Sequence, residues 1–80
     1  MRRLSDLSEQ EVTAPTEADI EFAMKMIPHH QLAIEMANEV LTAGKDDFTR
    51  SVAGSIIVAQ QGEIDMLRTW LRRAGVQKIP

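Results

Sequence analysis

Apolar residues recur every three or four positions over two long stretches of this chain, and nowhere do they alternate at the two-residue period of a strand. The first stretch opens at Pro15 and Thr16, where Thr16 and Asp19 have the spacing of a capping box and Glu17, Asp19 and Glu21 suit the positive end of a helix dipole. It runs to about Ala43, where Gly44 is expected to supply a left-handed C-terminal residue. Asp46 or Asp47 caps a second helix that continues to about Arg73, with Arg68, Arg72 and Arg73 at its negative end and Gly75 as its stop. The expectation is an all-α fold, an antiparallel helical hairpin over residues 15–75. A flexible polar N-terminal tail over 1–14 precedes it and a C-terminal tail over 76–80 follows.

At 100° per residue, His30 lies at the centre of the buried stripe of the first helix. Ala23, Met26, Ile27, Ala33, Ile34, Ala37 and Leu41 gather around it, and Phe22, His29, Met36 and Val40 form the flank. Glu21, Lys25, Glu35 and Glu39 take the opposite, solvated side. The second helix repeats the pattern around Gln60, with Glu63 inside the same arc as Ala53, Ile56, Ile57, Ile64, Leu67 and Leu71, and with Met66, Ala59 and Phe48 on the flank. A hairpin turning near Lys45 sets Gln60 level with His30, Ala53 level with Ala37, and Glu63 beside Met26 and Ile27. The misplaced polar residues of both stripes are therefore expected to meet, since buried polar groups without partners cost roughly 1–3 kcal/mol each. Pro28 falls inside the first helix, where it costs about 3 kcal/mol. It is expected to kink the axis, and either lets the hairpin wrap a partner or aims the histidines and frees a carbonyl to orient one of them.

Eighty residues make one small domain, and a chain of this length buries only about 60% of its unfolded surface. There is no cysteine, hence neither a disulfide nor a thiolate site to reinforce it. Two apolar faces on a bare hairpin are best covered by self-association, so a homodimer forming a four-helix bundle is expected. A net charge of -3 and a pI near 5.2 speak against nucleic acid, which needs a basic face. No apolar run reaches the roughly 20 residues of a membrane span, and the first ten residues lack the apolar core of a signal peptide. The chain thus reads as soluble and without an address.

The candidate chemistry is that of a metal site. Thioether with imidazole suits Cu(I), and imidazole with carboxylate suits Cu(II) or zinc. Met26 lies three residues before His29 and four before His30, within reach of either ring. Met26, His29, His30 and Glu63 are the candidate ligands, Glu63 either as ligand or as orienter of a histidine. Gln60, Met36 and Met66 are supporting or additional donors. Met36 stands about 10 Å along the axis from His29, too far to share one ion with Met26. Methionine at helical spacing is ordinarily gap-filling core, which is the plain reading of Met24, Met36 and Met66. The His/Gln/Glu quartet has its own plain reading, a hydrogen-bond network fixing the register of a structural or partner-binding module.

Phe22, the string Met26-Ile-Pro-His-His-Gln31, Ala33-Ile34 and Met36-Ala37, followed by Ile56-Ile57, Gln60, Glu63-Ile64, Met66 and Trp70-Leu71, resemble the domain-of-unknown-function family 305 (DUF305) over roughly residues 17–73. The resemblance implies a ferritin-like helical bundle, commonly in exported bacterial proteins and hence periplasmic or secreted. Some members are bound to copper and linked to copper tolerance. Many members look like two copies of this hairpin, whereas this chain has one, which supports a homodimer restoring four helices. An oxidative di-iron role does not fit, because that site takes four glutamates and paired Glu-x-x-His motifs, and no Glu here lies three residues before a His. No nucleophile or phosphate-loop signature is present. The expected role is copper sequestration or transfer, without catalysis.

Overall fold

The computed structural model describes residues 14–80, so the reading of residues 1–13 as a tail lies outside it. Two helices of 27 residues each, α1 (Glu17–Ala43) and α2 (Asp47–Arg73), pack on each other as the expected hairpin.

Both N-termini are capped by residues chosen for it. Thr16 Oγ1 accepts the Asp19 amide at 3.4 Å while Asp19 Oδ2 accepts the Thr16 amide at 2.8 Å, closing the capping box. Asp46 Oδ2 accepts both the amide and the hydroxyl of Thr49, at 2.9 and 2.8 Å. Those bonds, the backbone one first, hold the Asp46 carboxyl below its usual pKa.

The two C-termini differ. At the end of α2, Gly75 takes a φ of 87° and the Val76 amide returns to the Leu71 carbonyl and the Gly75 amide to that of Arg72, a Schellman arrangement. Gly44 does not repeat it. Its φ of -78° and ψ of 156° are extended, correcting the left-handed expectation. Glycine is needed there for space: its amide bonds the Val40 carbonyl at 2.7 Å, and a Cβ would stand 2.6 Å from that oxygen. α1 has no basic residue in its last turn, and the other helix supplies a cation to this end instead. Arg50 Nη1 donates to Leu41 O at 2.7 Å and to Gly44 O at 3.2 Å, locking the loop between the helices.

Ala23, Ile27, Ile64 and Leu71 form the core near the open end of the hairpin. Ile20, Met24, Ile34 and Leu67 pack around it, joined by Val76 and Ile79. The segment read as a C-terminal tail therefore folds back over the hairpin, where Arg68 Nε also donates to the Pro80 carbonyl at 3.0 Å. Near the turn the buried residues are only Ala37 and Ala53. α1 continues through Pro28 as one helix, with the proline on its exposed side.

Candidate functional site

Among the described residues His30 is the one buried polar residue, with 6% of its surface exposed amid the aliphatic side chains of α1 and α2. Its Nε2 lies 2.5 Å from Glu63 Oε1. An ionised carboxylate only accepts, so Nε2 donates, and a neutral ring then keeps its free lone pair on Nδ1. That Nδ1 is buried and has no partner. The carbonyl left free by Pro28 does not orient it, which corrects that expectation.

Glu63 is not itself buried: half of its side chain is exposed. Its hydrogen-bond partner is not a residue level with it in the expected register. Ala37 and Ala53 do line one groove together, and Ala23 and Leu67 another, as that register requires. Helical side chains lean toward the N-terminus of their own helix, so in antiparallel neighbours they lean past each other in opposite directions. The lean carries His30 and Glu63 together across an offset of three residues, about 4.5 Å. Gln60, expected opposite His30, is half-buried and makes no side-chain hydrogen bond among the described residues, so the anticipated quartet reduces to a His30–Glu63 pair.

The other candidates surround the pair without joining it. His29 is exposed, its ring centroid 6.4 Å from that of His30 and tilted by 58°. Met26 is half-buried one turn before both rings. Met36 and Met66 are 61% and 65% exposed. Each lines an apolar groove, Met36 beside Val52 and Ile56 and Met66 beside Trp70. Neither is the gap-filling core of the plain reading; Met24 is, packed on the Ile27 cluster. Among the described residues no three His, Asp or Glu side chains converge as a ready-made ion site within one chain.

The family model described as Domain of unknown function (DUF305) matches residues 19–80, which takes in both helices and every candidate residue. The chain belongs to this family. Among curated proteins, Uncharacterized protein L153 of Acanthamoeba polyphaga mimivirus is similar to this DUF305 chain, with 34% identity over 59 residues covering 74% of the chain. The chain spans 39% of the length of that relative. No solved structure matches the chain. Among the described residues, no helix is long and apolar enough to cross a membrane.

Proposed function

We propose that this DUF305 protein is a metal-binding helical hairpin that holds a soft or borderline ion, copper first, in sequestration or transfer, and that it acts as a homodimer without turnover. The observation that carries this reading is the state of His30. A histidine that ligates a metal ordinarily gives its other ring N–H to a carboxylate, which fixes the tautomer and raises the basicity of the ligating nitrogen. His30 shares that arrangement in part, with Nε2 on Glu63 and Nδ1 buried without a partner. Left without a partner, such a buried atom costs about 1–3 kcal/mol, which a ligand would recover.

The donor set fits the group. His30 and His29 offer imidazole nitrogens, Met26 a thioether favouring Cu(I), and Glu63 the carboxylate that orients His30. Bound copper would supply one-electron redox chemistry. The protein's part is to present these donors in a largely apolar surround and to limit access to them.

Titration of Cu(I) against a competing chelator tests the reading. His29→Ala, His30→Ala and Glu63→Gln should each weaken binding, and copper should raise the Tm of the native protein through mass action. Undiminished binding after loss of both histidines overturns it. The half-buried pairing of His30 to Glu63 across the helices favours a second reading, a structural clamp in a dimerisation module. In that case Glu63→Gln changes stability or assembly while the native protein shows no response to copper.

A further inference from the structure

The flank of α1 and the matching flank of α2 carry a regularity that the single hairpin does not use. Phe22, Met26, His29, Ala33, Met36 and Val40 follow one another at steps of four and three. Val52, Ile56, Ala59, Glu63, Met66 and Trp70 do the same. This is the spacing of a helix that packs along its length against another helix. The two stripes border one face. Phe22 and Trp70 line a groove of about 250 Å³ at its open end. Met36, Val40, Val52 and Ile56 line one of about 260 Å³ near the turn. Phe22, Met36, Met66, Val52 and Trp70 are all exposed on it.

Two parallel seams on one face are half of a four-helix bundle, and the covering half has the same shape as the hairpin itself. A two-fold related copy needs one self-complementary patch, which this face supplies. Helices of 27 residues side by side present a face about 40 Å long and about 20 Å wide, about 800 Å², which is what each partner of a stable interface buries.

Histidine and glutamate are the only polar members of the two stripes, and both stand third of six from the open end. They are therefore within a step of the middle, where a two-fold copy returns its own pair to the same region. We infer that a second copy of the chain closes this face and that the ion site is shared, Met26 and His29 of both copies standing about the two-fold axis beside the two His30–Glu63 pairs. This rests on the metal-binding reading above, and it accounts for the absence of a three-donor cluster among the described residues of one chain. Both polar side chains remain accessible for it, His29 exposed and Glu63 half-exposed.

The test separates assembly from ligation. Phe22→Glu and Val52→Glu alter opposite ends of the face at side chains exposed in the hairpin, and touch no donor. Sedimentation should show a native dimer and monomeric variants, with helical circular dichroism retained. Their Cu(I) affinity should fall at least tenfold although every donor is intact. Coupling is reciprocal, so copper must tighten dimerisation of the native chain by the same factor, a readout that needs no variant. A helical monomer that binds Cu(I) with native affinity overturns the shared site, as does a native chain that stays monomeric with copper present. A native dimer that takes up no copper overturns the metal reading and the shared site together, and leaves the covered face standing.

Discussion

Glu63 Oε1 sits 2.5 Å from His30 Nε2, a bond between the helices in which one partner is buried and the other half in water. The asymmetry decides what each substitution does. Glu63→Ala leaves both ring nitrogens of a buried imidazole without partners, and should cost about 1–3 kcal/mol. His30→Leu removes the ring, its orphaned Nδ1 and the need for the carboxylate, and should be nearly neutral or stabilising. Urea unfolding of the metal-free protein checks the order: His30→Leu at least as costly as Glu63→Ala contradicts it.

The glycines should respond in opposite senses. Gly44→Ala brings a Cβ to 2.6 Å from the Val40 carbonyl, a backbone atom that cannot swing aside, and should destabilise by about 1–3 kcal/mol. At Gly62, in the exposed part of α2, a Cβ meets nothing within 4 Å. Gly62→Ala should stabilise by roughly 0.5–1 kcal/mol through helix propensity. Thermal melts of the two variants should move in opposite directions.

Arg50 closes α1 from outside it. Losing its bonds to the Leu41 and Gly44 carbonyls should cost about 1.5–3 kcal/mol in Arg50→Ala. Arg50→Lys, with a point charge in place of the planar fork, should recover only part. Hydrogen exchange should locate the loss in the last turn of α1 and the loop; uniform loosening of the hairpin would be the contrary result.

The hairpin, both caps and the interior position of His30 were legible because each depends on residues close in sequence: Thr16 with Asp19, Asp46 with Thr49, and the repeat that gathers Ile27 and Ile34 around His30. Arg50 was not legible, since its partners are carbonyls of another helix and carry no residue signature. The return of Val76 and Ile79 to the core escaped for a similar reason. Five residues show no period, and only the apolar character of these two hinted at it. Gln60 was expected to partner His30 and makes no hydrogen bond to it, because level Cα atoms do not make level side chains. The lean of each side chain chose Glu63 instead.

Acid should loosen the start of α2 before it reaches the core. The Thr49 amide and hydroxyl lower the Asp46 pKa in the folded protein. A depressed folded pKa contributes stability that is fully present above the unfolded value, near 3.8, and is lost as pH falls through the folded one. Below about pH 4 the native protein should therefore lose this contribution, while Asp46→Asn, which still accepts from the Thr49 amide without titrating, should lose less. Parallel acid-dependence curves for the two proteins would show that Asp46 contributes nothing.

The C-terminal segment offers the sharpest distinction between a tail and a structural element. Val76 is fixed by its bond to the Leu71 carbonyl, and Ile79 packs beyond it on the core that holds Ile27, Ile64 and Leu71. Full burial makes an isoleucine-to-alanine change cost about 2–5 kcal/mol, and Ile79 is partly exposed, so Ile79→Ala should cost less, about 1–2 kcal/mol. Arg68 holds the same segment only by a hydrogen bond at an exposed position, so Arg68→Ala should change stability by roughly 0.5 kcal/mol or less. Equilibrium unfolding should rank Ile79→Ala well below the native protein and Arg68→Ala beside it. Native stability in Ile79→Ala would return residues 76–80 to the status of a tail, because a side chain that covers the core cannot be removed without exposing it.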